Sequence, residues 1–202
     1  MSRIGVLGGS FDPCHRGHIN LAVDAKEQMN LDEVILMPTR IQPFKQDKKV
    51  ADANHRVNML KEAIKECSGL SVSTWEIDQK TVSYTYKTLE ALKKIKGEDA
   101  EIYFISGTDS FINIESWKNG KDMLRKHKFI VGVRPGYRLN ELDEAIAKAK
   151  KIYGTDVHKI DNRRFHISST EIRDRLKNNQ SISDLVTDSV ERYILENGLY
   201  VE

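Results

Sequence analysis

Short apolar runs alternate with stretches of helical period along most of the chain. Uninterrupted runs of this kind are typical of strands buried on both faces of a parallel sheet. They lie at Ile4 to Leu7, Val34 to Met37, Leu70 to Trp75, Ile102 to Ile105 and Phe129 to Val133. Helical spacing between the runs is carried by Val57, Leu60, Ile64 and Cys67, and again by Leu139, Leu142, Ile146 and Ala149. The strand–helix alternation predicts an α/β fold with a doubly wound parallel sheet, whose ligands bind beyond the carboxyl ends of the strands.

Residues 167–202 have a different pattern. Ser168-Ser169-Thr170-Glu171 is typical of a helix N-terminus, and that helix is expected to run through Leu176. A last helix around Val190 and Ile194 is expected to end at Asn197-Gly198. We therefore expect an α/β domain over residues 1–166 and a small helical C-terminal subdomain over residues 167–202.

Composition narrows the class of protein. With 202 residues the chain can bury a large core, so it needs no disulfide or structural metal. Its 32 Lys+Arg against 30 Asp+Glu give no strong field toward nucleic acid or anionic lipid. Lysine-rich helix faces such as residues 93–96 are expected to be solvated, the alternative being a nucleic-acid patch. No apolar run is long enough to cross a bilayer, and two isolated cysteines fit a reducing cytoplasm.

The segment from Gly8 to His18 directly follows the first predicted strand and is the most informative in the chain. Its glycines lie where the chain must turn sharply, so backbone N–H groups can approach an anion with no Cβ in the way. A helix is expected to begin near Gly17, with its unpaired amides facing the same crevice. His15 and His18 are three residues apart, which puts both rings on one face of the first turn. The segment predicts a phosphate-binding turn with two imidazole donors.

This segment does not match the other common phosphate-binding loops. It lacks the Gly-Lys-Ser/Thr end of a Walker A loop, and its glycines do not form the dinucleotide-binding G-x-G-x-x-G. A zinc site on Asp12, His15 and His18 would need a further ligand that the neighbouring sequence does not supply. The remaining alternative is that the two histidines only cap a helix.

Two motifs carry a resemblance to a known family. They are Gly9-Ser10-Phe11-Asp12-Pro13 followed by His15-x-Gly17-His18, and, about 150 residues later, Ile167-Ser168-Ser169-Thr170-Glu171-Ile172-Arg173. Both resemble signatures of the nucleotidyltransferase superfamily that carries H-x-G-H. Within it, the chain resembles bacterial nicotinate mononucleotide adenylyltransferases over essentially its whole length. Further supporting segments are Ser83-Tyr84-Thr85, Gly107-Thr108-Asp109, Trp117, Arg134-Pro135-Gly136 and Asn197-Gly198-Leu199-Tyr200.

The resemblance implies a Rossmann-like fold and adenylyl transfer from ATP to nicotinate mononucleotide, giving deamido-NAD and pyrophosphate. It implies that His15, His18 and Arg173 are catalytic and that the C-terminal subdomain completes the ATP site. The residues that it assigns to ATP are Gly8, Gly9, Ser10, Phe11, Gly107, Asp109, Ile167, Ser168 and Ser169. A helix N-terminus followed by a guanidinium also suits phosphates on chemical grounds. The alternatives are a capping box with Glu171 or Asp174 paired to Arg173, and a helix N-cap at Asp109.

For the pyridine nucleotide, the resemblance implies Ser83, Tyr84, Thr85 and Trp117. The cations Lys45, Lys118 and Arg134 are further candidates for its phosphate or carboxylate. Trp117 would stack on the nicotinate ring, although a tryptophan in a partly buried core is the ordinary alternative. The chain departs from the family at Gln42-Pro43-Phe44-Lys45, where Pro-Pro-His-Lys is usual, and at Lys118, which replaces an aromatic residue. Both departures leave the preference for an acid or an amide open, while Lys118 would attract a carboxylate.

The expected cofactor is Mg²⁺ bound through the ATP phosphates, with no protein ligand to the metal. The expected partners are ATP and nicotinate mononucleotide, without nucleic acid or membrane, and a homodimer is one assembly that we consider. Two alternative functions keep the fold: transfer to nicotinamide mononucleotide or phosphopantetheine, and a non-catalytic nucleotide-binding domain. A third is a zinc hydrolase built on His15 and His18.

Overall fold

The computed structural model describes residues 2–41, 50–79, 81–133, 138–162 and 167–201. Its strands are β1 (Arg3–Gly9), β2 (Glu33–Pro38), β3 (Leu70–Val72), β4 (Glu101–Gly107), β5 (Lys128–Val133) and β6 (Asp156–Asp161). Its helices are α1 (Arg16–Gln28), α2 (Ala53–Ala63), α3 (Trp75–Asp78), α4 (Thr85–Lys96), α5 (Thr108–Ile112), α6 (Gly120–Lys126), α7 (Leu139–Tyr153), α8 (Ser169–Lys177) and α9 (Asp188–Glu196). A 3₁₀ turn covers Ile114–Ser116.

The strands form one parallel sheet in the order β3-β2-β1-β4-β5-β6. The chain moves outward from β1 through β2 to β3, then returns to place β4 on the other side of β1. The strand order therefore reverses between β1 and β4, where open α/β sheets bind ligands. This confirms the predicted α/β, doubly wound fold and directs attention to the loops after Gly9 and Gly107.

Hydrophobic cores cover both faces of the sheet, because successive strand side chains point to opposite sides. Leu7 and Ile105 belong to one core, whereas Val6 and Phe104 belong to the other. The first core also contains buried hydrophobic side chains from α1, α2, α8 and α9. The helices that follow our predicted boundary thus share a core with α1 and α2, and the division at residue 166 stays a prediction.

The structure differs from the sequence prediction at three elements. Strand β3 ends at Val72, and Trp75 begins α3 after the Ser73 hydroxyl accepts a hydrogen bond from its backbone N–H. Helix α2 ends at Ala63, so Cys67 lies beyond it. Strand β6 was not predicted, because an edge strand with only Val157 and Ile160 buried has no continuous apolar run.

The predicted end of the last helix is confirmed in detail. Asn197 is the C-cap of α9, and Gly198 follows with φ +58°. The Gly198 and Leu199 N–H groups bond back to the carbonyls of Leu195 and Ile194, as in a Schellman motif. This motif turns the chain sharply and directs Leu199 and Tyr200 back toward the body of the protein.

Crossing a bilayer requires a helix that is both long and apolar, and none of the helices in the described ranges meets that requirement.

Candidate functional site

Two cavities adjoin at the carboxyl ends of β1 and β4. The apolar cavity, of about 560 Å³, is lined by Val6, Gly8, Gly9, Met37, Thr39, Glu76, Ser83, Tyr84, Thr85, Thr88, Leu89, Phe104, Ser116, Trp117, Lys118, Asn119 and Met123. The polar cavity has a volume of about 530 Å³, and its lining includes Ser10, Asp12, His15, His18, Gly107, Asp109, Ile167, Ser168, Ser169, Thr170 and Arg173. Gly8, Phe104 and Trp117 line both cavities. Two ligands could therefore meet over the end of β1.

The turn after β1 brings its two histidines together. His15 is the N-cap of α1, and its ring stacks on that of His18 with centroids 3.6 Å apart. The His15 backbone N–H donates to His18 Nδ1 at 3.4 Å. Because Nδ1 accepts, the neutral His18 ring carries its proton on Nε2, which makes Nε2 a donor. The two histidines thus contribute to helix capping and also line the polar cavity.

Phe11 is buried and packs against the histidine turn. It is 1 % exposed, has φ +49°, and meets the His18 ring edge-on with centroids 4.9 Å apart. It is absent from the described residues that line either cavity. The sequence assigned Phe11 to ATP, whereas in the structure it packs against the ring that faces the cavity.

The second motif lies at the N-terminus of α8, across the polar cavity. Ser168 is the N-cap, and its hydroxyl accepts from the Glu171 N–H at 3.1 Å. The Ser169 hydroxyl donates to the Pro13 carbonyl at 3.0 Å, joining α8 to the turn after β1. Glu171 pairs with Arg175 at 2.8 Å, so the alternative of a Glu171–Arg173 pair is wrong.

Arg173 instead points toward the first motif. Its Nη1 donates to the Asp12 carbonyl oxygen at 2.5 Å and lies 3.8 Å from Asp12 Oδ2. Its Nη2 donates to the Thr170 hydroxyl at 3.2 Å. The fold therefore places a guanidinium from α8 beside the histidine turn, within the polar cavity.

A buried cation under the turn was missed by the sequence analysis. Arg56 of α2 is 2 % exposed and donates to the carbonyls of Ser10 at 2.8 Å, Thr39 at 2.8 Å and Ala51 at 3.0 Å. Burial lowers the pKa of its guanidinium, an effect opposed by the negative charge of nearby Asp12. The loops after β1 and β2 are thus fixed to each other by one side chain. An arginine in a helix gives no sequence signal for this role, since most are surface residues.

The residues after β4 lie on the other side of the polar cavity. Gly107 is the N-cap of α5 and Asp109 is its second helical residue, so the alternative that Asp109 caps this helix is wrong. The Asp109 carboxylate accepts from Arg138 at 2.7 Å while lining the cavity.

Among the residues assigned to the pyridine nucleotide, those that the structure describes line the apolar cavity. Trp117 meets Phe104 edge-on with centroids 6.0 Å apart, and Lys118 beside it is exposed. Tyr84 is the N-cap of α4 without a capping side-chain bond, and Thr85 is the first helical residue. Ser83 is buried, and its hydroxyl accepts from the Arg40 N–H at 2.9 Å. Lys45 and Arg134, like Phe44, lie outside the described residues.

Glu76 is a buried carboxyl in this cavity that the sequence analysis did not select. It is 5 % exposed, and its Oε1 accepts from the Thr88 hydroxyl at 2.5 Å. Burial raises the pKa of Glu76, although hydrogen bonds from Thr88 and Ser83 oppose the shift. Its only sequence signal is an acidic residue between two apolar ones, Trp75 and Ile77.

In the part of the chain that the structure describes, no three His, Cys, Asp or Glu side chains are grouped to hold a metal ion. The zinc alternative on Asp12, His15 and His18 thus has no complete ligand set within those residues.

Comparison with known proteins points to one family. Residues 6–175 match the cytidylyltransferase-like family. The chain is 41% identical over 202 residues to a probable nicotinate-nucleotide adenylyltransferase of Clostridium botulinum (strain Eklund 17B / Type B), covering 100% of both chains. It is 39% identical to a protein with the same description from Thermoanaerobacter sp. (strain X514), covering 98% of this chain and 94% of that protein.

A solved structure, Plasmodium falciparum nicotinic acid mononucleotide adenylyltransferase complexed with NaAD, has the same fold. It superposes with a TM-score of 0.83 at 24% identity, covering 99% of this chain and 98% of that one. The sequence identities over the full length, the family match across both motifs and the shared fold agree. The chain therefore belongs to the cytidylyltransferase-like family and, within it, to the nicotinate-nucleotide adenylyltransferases.

Proposed function

We propose that this protein transfers the adenylyl group of ATP to nicotinate mononucleotide as a step of NAD biosynthesis. A 5′-phosphate oxygen of the mononucleotide forms a bond to the α-phosphorus of ATP. The bond from that phosphorus to the oxygen bridging to the β-phosphate breaks, and pyrophosphate leaves with the electron pair. The products are deamido-NAD and pyrophosphate, and no protein nucleophile is needed.

The observation that carries this proposal is the junction of the two cavities at Gly8, Phe104 and Trp117. Direct transfer requires two anionic substrates held end to end, with the reacting phosphates close together. ATP would occupy the polar cavity, and the mononucleotide would place its ring in the apolar cavity. Their phosphates would then meet over the glycine turn, where no Cβ of Gly8 or Gly9 intervenes.

On the ATP side, the histidine turn and α8 supply positive groups from two directions. His18 Nε2 and the His15 ring would bond oxygens of the α-phosphate and its bridging region. The Ser168 and Ser169 N-terminus of α8 and the Arg173 guanidinium would hold the β- and γ-phosphates. Fixed donors of this kind stabilise the charge that builds on phosphate oxygens in the transition state. In this way the C-terminal subdomain would complete the ATP site.

The nucleoside part of ATP would extend toward β4. Gly107 leaves room for it at the N-terminus of α5, and the Asp109 carboxylate can accept from ribose hydroxyls. Mg²⁺ would bind through the ATP phosphates and neutralise part of their charge.

In the apolar cavity, Trp117 would stack on the pyridine ring. The N–H groups of the first turn of α4, near Tyr84 and Thr85, would bind the carboxylate of the ring. Lys118 at the rim favours an acid, whereas the Glu76 carboxyl would repel one if it were ionised. Because burial raises the pKa of Glu76, this repulsion is weaker than that of an ordinary carboxyl group, and the acid is disfavoured less.

The other parts of the proposal follow from the sequence. Lys45 and Arg134 remain candidates for the mononucleotide phosphate or carboxylate. We place the reaction in the cytoplasm, with small-molecule partners and no nucleic acid or membrane, and a homodimer stays a prediction.

The proposal is tested with purified protein, ATP and Mg²⁺, offered nicotinate mononucleotide, nicotinamide mononucleotide or phosphopantetheine in separate reactions. We expect deamido-NAD and pyrophosphate, separated by chromatography, mainly from the first. If the second or third acceptor dominates, the assignment of the apolar cavity is wrong. If none reacts while ATP still binds, a non-catalytic nucleotide-binding domain replaces the proposal.

A further inference from the structure

The C-terminal end of the chain reaches the centre of the site through Tyr200. After the Schellman motif, Tyr200 takes φ +65° and its hydroxyl donates to Asp12 Oδ1 at 2.7 Å. The two residues are 188 positions apart. Leu199 and Tyr200 also pack against the hydrophobic core that contains α1, α2, α8 and α9. The packing of Leu199 and Tyr200 therefore fixes the hydroxyl next to Asp12.

Asp12 is a buried carboxylate with several partners. Its side chain is 6% exposed, and Oδ1 accepts from the Ala51 N–H at 3.1 Å as well as from Tyr200. Its other oxygen, Oδ2, faces Arg173 at 3.8 Å. The two bonds to Oδ1 thus fix the plane of the carboxylate and leave Oδ2 facing the guanidinium.

We propose that Tyr200 is a positioning residue for ATP binding, because its hydroxyl holds Asp12 so that Arg173 stays available to the phosphates. This inference rests on the proposed function, since it takes Arg173 as a phosphate ligand. A buried carboxylate must satisfy its charge with the donors around it. While Tyr200 satisfies Oδ1, Arg173 binds Asp12 through the backbone carbonyl and stays at 3.8 Å from Oδ2.

Loss of the Tyr200 hydroxyl would change how the charge of Asp12 is satisfied. Oδ1 would keep only the Ala51 N–H among these donors, so the carboxylate would draw closer to Arg173 to compensate. A tighter Asp12–Arg173 ion pair competes directly with the ATP phosphates for the same guanidinium. Arg56 cannot replace the lost hydrogen bond to Asp12 Oδ1, because its guanidinium already bonds the carbonyls of Ser10, Thr39 and Ala51.

The Tyr200 hydroxyl is suited to a permanent donor role. Burial and the negative charge of Asp12 both raise the pKa of Tyr200, so it keeps its proton across the neutral range. Its influence on Asp12 should therefore not depend on pH between about 6 and 9.

The test compares Tyr200→Phe with Tyr193→Phe. Tyr193 is also at the C-terminal end, and its hydroxyl bonds His55 at 3.0 Å and Asn58 at 3.0 Å, outside both cavities. We expect Tyr200→Phe to raise the KM for ATP about tenfold and to leave the KM for nicotinate mononucleotide nearly unchanged. Tyr193→Phe should change neither. Equal ATP constants in the two variants would overturn the proposal.

A double-mutant cycle separates positioning from general packing. If Tyr200 acts through Arg173, the loss from Tyr200→Phe should largely disappear in an Arg173→Lys background. Fully multiplicative losses in the double variant would show that Tyr200 acts elsewhere and overturn the inference.

Binding of a non-hydrolysable ATP analogue, measured by calorimetry without acceptor, keeps this test independent of turnover. Wild-type protein that binds the analogue but makes no deamido-NAD refutes the proposed function alone. Weaker binding by Tyr200→Phe would then still support the inference, and equal binding would refute it. Wild-type protein that binds no analogue would overturn both.

Discussion

Replacement of Arg56 should destabilise the fold, because three loop carbonyls accept hydrogen bonds from its guanidinium. Its guanidinium bonds three carbonyls at 2.8 Å, 2.8 Å and 3.0 Å and is 2 % exposed. In Arg56→Met, a shorter, uncharged side chain replaces the arginine, and the three hydrogen bonds from the guanidinium to the carbonyls are lost. We therefore expect a large loss of folding free energy together with displacement of the turn at Ser10.

The size of the loss can be worked from these contacts. Each hydrogen bond from a charged donor contributes about 1.5–3 kcal/mol, which gives about 4.5–9 kcal/mol for the three bonds that are lost. The desolvation of the cation, visible in its lowered pKa, is relieved in the variant and offsets part of this loss. We expect a net loss of about 3–5 kcal/mol in the free energy of unfolding, and a melting temperature lower by at least about 6 °C.

Urea unfolding followed by circular dichroism measures this difference directly. Arg192→Met, at an exposed position of α9, is the matched control and should change the free energy of unfolding by less than about 0.5 kcal/mol. If Arg56→Met costs less than about 1 kcal/mol, the three carbonyls must find other donors. The argument that Arg56 fixes the loops after β1 and β2 would then fail.

The remaining predictions concern the histidine turn, the helix caps and the buried carboxyl. His18→Ala should lower kcat/KM by about 10²–10³-fold, and His55→Ala, away from both cavities, should leave it unchanged in the same assay. Ser168→Ala and Thr187→Ala each remove a helix N-cap and should each cost about 1 kcal/mol of unfolding free energy, but only Ser168→Ala should lower kcat/KM, by about tenfold. Burial raises the pKa of Glu76, so its contribution to stability is fully present below the unfolded pKa of about 4.3 and is lost as pH rises through the folded pKa. Glu76→Gln should therefore gain stability relative to the wild type as urea unfolding is repeated from about pH 5 to about pH 8, and a pH-independent difference would contradict this account.

Sequence pattern was sufficient for the central strands. β1, β4 and β5 are buried on both faces, so their apolar residues form continuous runs that differ from helical spacing. The pattern was insufficient for β6, because an edge strand buries few residues and keeps polar ones. The predicted β3 was too long, because it continued to Trp75. A run of apolar residues does not show that the chain leaves the strand at Ser73 and begins α3.

The two motifs of the site were also visible in the sequence. A glycine turn with histidines three residues apart, and a serine-led helix with an arginine one turn later, each carry phosphate chemistry within a few residues. Local spacing in the sequence was enough to identify these groups, and the fold places both motifs in one cavity.

Tertiary structure decided what surrounds them. Arg56 and Tyr200 are distant in sequence from Asp12 of the first motif, and the sequence assigned neither of them to the site. Their roles depend on burial, which makes an unpaired charge or carbonyl costly and so forces these side chains to satisfy one another. Sequence determined the chemistry that binds phosphate, whereas the packed fold decided which buried groups hold that chemistry in position.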